Sequence, residues 1–66
     1  MNNLTVGDFV QIDAPYSDFH NCKGMLSWYD LDDGTWRVDV RNQENPTDGL
    51  GYMYIHANPR CLLKIN

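Results

Sequence analysis

The residues best equipped for chemistry in this chain of 66 are two histidines, two cysteines and one run of acids. His20-Asn21-Cys22 sets an imidazole two positions from a thiol, His56 precedes Cys61, and Asp30-Leu31-Asp32-Asp33-Gly34 gathers three carboxylates at a turn. Imidazoles and thiolates are the ligand types of zinc. Their spacing here fits no common zinc knuckle, and the chain has no Cys-x-x-Cys, so the expectation is separate surface histidines and buried cysteines. A thiol–imidazole pair could also serve a nucleophilic mechanism, which needs a second layer of residues to hold both groups rigidly. Two residues apart where a loop enters a strand, His20 and Cys22 lack that rigidity. The acidic run offers hard oxygen donors to calcium. A calcium helix-loop-helix places a bidentate Glu at the twelfth loop position, where this chain has Arg41, so the run reads as an acidic hairpin. The expectation is a protein with no catalytic residue, no metal and no cofactor.

The elements that carry these residues announce themselves by period-two hydrophobicity. Phe9-Val10-Gln11-Ile12, Gly24 to Tyr29, Trp36-Arg37-Val38-Asp39-Val40, Leu50 to Ile55 and Leu62 to Ile65 read as five short strands between turn-rich segments. Val10 and Ile12 share one face, as do Leu26 with Trp28 and Trp36 with Val38 and Val40. Those seven form the expected core, joined by Met53, Ile55, Leu63 and Ile65. Gly34 is placed to take a left-handed conformation in the hairpin. Residues 13–21 have no sustained period and form a long first loop, residues 42–49 form a polar loop, and Ala57-Asn58-Pro59-Arg60 fits a single tight turn. Five such strands in one domain spanning residues 1–66 must curl, because a flat sheet would leave an apolar face and two edges exposed.

Composition narrows the function further. A domain of this length buries only about 60% of its unfolded surface, and a barrel this small fills its interior with side chains, leaving little room for an enclosed active site. The formal charge is −4, and the five basic residues, Lys23, Arg37, Arg41, Arg60 and Lys64, are scattered, so a phosphate backbone meets no basic strip. The start Met1-Asn2-Asn3-Leu4-Thr5 lacks the basic and apolar regions of a secretory signal, and no apolar run nears the ~20 residues of a membrane span. A cytoplasmic protein with no membrane association is expected. A disulfide between Cys22 and Cys61 would stabilise by roughly 4 kcal/mol. In a cytoplasmic chain two reduced, largely buried thiols are the expectation.

Gly7-Asp8-Phe9-Val10-Gln11-Ile12 followed by Lys23-Gly24-Met25-Leu26 resembles the opening of KOW-type barrels. The final segment, with an aromatic strand, a short turn and Leu62 to Ile65, is similar to bacterial SH3-like barrels such as the small acceptor-side subunit of photosystem I. The resemblance covers residues 6–65 and implies an all-β, five-stranded SH3-like small barrel. Two departures bear on ligands. KOW-type domains that hold RNA are basic around the first loop, where this chain carries Asp13 and Asp18. The Ala-Leu-Tyr-Asp-Tyr strand and Trp-Trp pair of peptide-binding signalling domains are absent.

The aromatics carry the functional reading. Tyr16, Phe19, Tyr29, Tyr52 and Tyr54 cannot all fit inside so small a barrel, and exposed tyrosines are enriched in binding surfaces. Asp13, Tyr16, Asp18 and Phe19 make the first loop acidic and aromatic, suited to a basic or proline-containing segment of a protein partner, with the contact extending to Tyr29 and to Arg37 on the wet face of the third strand. The expected function is a stand-alone bacterial or phage interaction module, monomeric or weakly dimeric. The alternatives are a KOW-like nucleic-acid or ribosome-associated protein and a structural protein that self-associates through a strand edge.

Overall fold

A computed structural model describes residues 3–40 and 53–65. The chain is all-β: β1 (Phe9–Ile12), β2 (Lys23–Asp30), β3 (Thr35–Asp39), β4 (Tyr54–Ala57), a 3₁₀ turn (Pro59–Cys61) and β5 (Leu62–Lys64). They form one antiparallel sheet in the order β4-β3-β2-β1-β5. Curling brings the inward side chains of all five strands into one core that includes Val10, Leu26, Val38, Ile55 and Leu62. The arrangement is consistent with the expected small barrel, although β4 and β5 remain outer strands and the sheet is not closed. No helix among the described residues is long and apolar enough to cross a membrane.

Each turn has a chemical cause. The Asp30 carboxylate accepts from the amides of Asp32 and Asp33 at 2.9 and 3.3 Å, and Gly34 takes φ +67°, so the acidic run builds its own hairpin. Before β5, Asn58 Oδ1 accepts from the Arg60 amide at 3.0 Å, and Pro59 occupies the first helical position, where no amide donor is needed.

Alternation holds in β1, β3 and β4, and the buried phase differs from the expected one in β2 and β5. Leu26 pairs with Val38, yet Trp28 pairs with Arg37, so Ser27 is an extra residue in a β-bulge. The bulge reverses the phase: Trp28, expected in the core, is 55% exposed, while Tyr29 turns inward opposite Trp36 with ring centroids 5.0 Å apart. In β5 the expected core pair, Leu63 and Ile65, is exposed, and Leu62 is fully buried. The cause is register: Leu62 pairs with inward Ile12, and Leu63 with outward Gln11. In β4, Ile55 points inward as expected, whereas Met53 precedes the strand and is exposed. Arg41, the polar loop 42–49 and the expected strand positions 50–52 lie outside the described residues.

Cys22 and Cys61 are not joined in a disulfide; Cys22 lies in the core and Cys61 is half-buried. The Ile12 amide donates to the Cys22 carbonyl and the Asp13 amide to the Cys61 carbonyl, so the cysteines flank the end of β1 on opposite sides. Two strand spacings of about 4.8 Å exceed the roughly 7 Å that a disulfide bridges between Cα atoms.

Asp8 is the buried acid of the described core. Its carboxylate accepts from the Thr5 amide at 2.9 Å and lies 3.6 Å from Lys64 Nζ. The Thr5 amide holds the Asp8 pKa below its ordinary value; burial opposes this and the Lys64 ammonium assists it. Because the folded-state pKa is the lower one, the contribution is complete above the unfolded value of about 4 and disappears as the pH falls through the folded value. Asp8→Asn should therefore flatten the loss of urea midpoint below about pH 4. Parallel acid limbs for the two proteins would contradict this.

Candidate functional site

The first loop is pinned along its length. The Asp13 amide donates to the Cys61 carbonyl at 2.7 Å, the Ala14 amide to His20 Nδ1 at 3.1 Å, the Phe19 amide to Ser17 Oγ at 3.1 Å and the Cys22 amide to the Phe19 carbonyl at 3.0 Å. At its exit Asn21 takes φ +69°, a conformation asparagine tolerates better than most residues, while its amide donates to the Ile12 carbonyl and its Oδ1 accepts from Gln11 Nε2 at 3.2 Å. These bonds tie the loop to itself, to β1 and to the 3₁₀ turn. Tyr16 projects from it fully exposed, Asp13 and Asp18 are exposed, and Phe19 is half-buried against the core.

Between this loop and the β4–3₁₀ bend lies a hollow of about 170 Å³, lined on the loop side by Ala14, Ser17 and Phe19 and on the other by Ile55, His56 and Asn58. It is smaller than the ~300 Å³ of a typical small-molecule pocket and suits one inserted side chain. The floor is apolar and polar groups from Ser17, His56 and Asn58 edge it, so an extended segment could seat an aliphatic side chain and hydrogen-bond alongside.

Four of the expected site residues, Asp13, Tyr16, Asp18 and Phe19, share this loop. The other two lie elsewhere. Tyr29 packs inward on Trp36 and lines a separate hollow of about 260 Å³ with Trp28 and Leu31 at the β2–β3 hairpin. Arg37 stands on the outward face of the sheet, its guanidinium 3.9 Å over the Tyr54 ring. The groove's far wall and the exposed Trp28 were missed by sequence reasoning, the first because it requires the fold and the second because the bulge leaves no mark in Leu26-Ser27-Trp28-Tyr29.

The residues with chemical potential have structural employment. His20 Nδ1 accepts the Ala14 amide, Cys22 is buried, and His56 Nδ1 lies 3.4 Å from Thr35 Oγ1. Among the described residues no group of three or more His, Cys, Asp and Glu is placed to hold a metal ion. His20 acts as a loop brace: His20→Ala should speed hydrogen exchange at Ala14 while lowering global stability by only about 1 kcal/mol. Unchanged exchange at Ala14 would show that the brace is not needed.

No protein-family model matches the chain, and no curated protein or solved structure matches it significantly.

Proposed function

We propose that the chain is a non-catalytic interaction module that docks a basic, extended segment of a larger protein along its first loop. The observation that carries this reading is a hydrogen-bonded loop presenting a fully exposed Tyr16 and the exposed carboxylates of Asp13 and Asp18 beside an apolar groove. Pre-organisation reduces the ordering cost of binding, and tyrosine supplies contact area at low entropic cost. The carboxylates, within a chain of net charge −4, steer a cationic segment and disfavour a nucleic-acid backbone. The small groove implies affinity in the micromolar range, about −8 kcal/mol.

The five-stranded antiparallel sheet with a 3₁₀ turn before β5 supports a small barrel-like binding scaffold and leaves the ligand to be read from the loop. For a KOW-like nucleic-acid partner three of the four described cations are dispersed: Arg37 is stacked on Tyr54, Lys64 faces Asp8, and Arg60 lies on the 3₁₀ turn.

Selection from a random peptide library tests the proposal. Wild type should enrich sequences with Lys or Arg flanking an apolar residue, and Tyr16→Ala with Asp18→Asn should bind them at least ~10-fold more weakly. Both side chains are solvent-facing, which makes this double variant a cleaner reporter than one that removes the core-packed Phe19. No enrichment, or equal binding by the variant, overturns the loop as the interface.

A further inference from the structure

The outward face of this sheet is built from residues that usually fill an interior. An antiparallel sheet with one buried face ordinarily presents polar side chains on the other. Here Phe9, Met25, Trp28, Tyr54, Leu63 and Ile65 are all exposed, and the register places them on the outer side of the curled sheet, with Phe9, Met25 and Trp28 on the adjacent strands β1 and β2 at its centre. Phe9 pairs with Met25, Met25 with Asp39, and Asp39 with Tyr54, while the Ile65 amide donates to the Phe9 carbonyl at 2.9 Å. One row thus crosses the whole sheet, with Leu63 in the row on one side and Trp28 and Arg37 in the row on the other.

We propose that this face is an isologous dimer interface, covered by the same face of a second copy of the chain. Area is the first argument. The molecule measures 31 × 24 × 20 Å and has 4647 Å² of accessible surface. One side of such a body carries roughly a sixth of its surface, close to the ~800 Å² that each partner contributes to a standard interface. Composition is the second. Trp, Tyr and Arg are the residue types that dominate interface energetics, and Arg37 is already held on the Tyr54 ring, so little freedom remains to be lost on burial.

Charge decides between a second copy and a strongly charged partner. The exposed acids Asp13, Asp18, Asp32 and Asp33 lie in loops, away from the row, and Asp30 is engaged in its own hairpin. On the outer side, Arg37 and Asp39 alternate along β3 and Lys23 pairs with outward Gln11 on β1, so the described face carries mixed charges with a net of +1, little for two copies to repel each other by. The groove beside the first loop lies at the β4 edge, where His56, paired with Arg37, borders both surfaces.

Sedimentation velocity from about 1 to about 500 µM tests this, a span that covers micromolar self-association. Wild type should pass from monomer to dimer, and the double variant Met25→Glu, Trp28→Lys should weaken association at least ~100-fold with an unchanged circular dichroism spectrum. Tyr16→Ala should dimerise as wild type does. A wild type that stays monomeric throughout, or a double variant that dimerises normally, overturns the proposal. Dilution of ¹⁵N-labelled wild type decides the matter independently of any variant's folding. Shifts centred on Phe9, Met25, Trp28, Tyr54 and Ile65 support the interface, and shifts confined to other residues reject it.

Discussion

Trp36→Ala is expected to leave most of the chain unfolded in water at 25 °C, while Trp28→Ala leaves it folded. The two tryptophans are chemically identical and both sit in strands, yet Trp36 is 8% exposed between the Tyr29 ring and the core and Trp28 is 55% exposed. Truncating a buried Trp costs about 3–5 kcal/mol through lost transfer energy and the cavity left behind. A domain of this size holds only ~3–5 kcal/mol in total. Truncating a half-exposed Trp on the outer face should change stability by about 0.5 kcal/mol at protein concentrations too low for self-association. Urea unfolding followed by circular dichroism reads both. Equal losses for the two variants would mean that the Ser27 bulge and the phase reversal behind it are wrong.

Gly24→Ala should rank as the most damaging of the glycine replacements at positions 7, 24 and 34. Gly24 sits inward on β2, paired with Val10, where an added Cβ would collide with the Asp39 carbonyl and lie 2.8 Å from Val38 Cγ1. The first obstacle is the backbone of β3, held to β2 by the central ladder, so relief requires separating the two strands. Overpacking of this kind costs about 1–3 kcal/mol, a large fraction of the whole. Gly34 and Gly7 fail for a milder reason. Their φ values are +67° and +96°, but a Cβ at Gly34 has the Tyr29 hydroxyl at 3.8 Å as its near neighbour and one at Gly7 meets nothing within 4 Å. Alanine there costs about 1 kcal/mol of left-handed strain. Comparable urea midpoints for Gly24→Ala and Gly34→Ala would contradict the close approach of β2 and β3.

The contrast between these residues shows what a sequence can and cannot specify. Val10 with Ile12, and Trp36 with Val38 and Val40, alternate strictly with polar or exposed neighbours, so one face of each strand was readable without a fold. Leu26-Ser27-Trp28-Tyr29 alternates just as cleanly, and the alternation misleads. The bulge is selected by what Trp36 packs against, a partner seven residues beyond Tyr29. Leu62-Leu63-Lys64-Ile65 offers two apolar phases, and only pairing of Leu62 with Ile12, fifty positions earlier, chooses between them. The candidate site divides in the same way. Asp13, Tyr16, Asp18 and Phe19 lie in one aperiodic segment and were legible as a group, whereas the opposite wall, contributed by Ile55, His56 and Asn58, becomes adjacent only when the chain curls. Arg37 faces outward as its alternation in β3 indicates, whereas the phase of Tyr29 misleads because alternation alone cannot say which side of a bulge a residue occupies.

Whether the first loop and its groove receive a basic extended segment is read by chemical-shift mapping. ¹⁵N-labelled protein would be titrated at low and moderate salt with short extended peptides of alternating Lys and Val, with a matched Glu and Val series and a single-stranded oligonucleotide as comparators. Shifts should concentrate at Ala14 to Phe19 and Ile55 to Asn58 with the Lys peptides alone and weaken as salt rises. Absence of shifts with the Lys peptides, or a stronger response to the oligonucleotide, would contradict such docking.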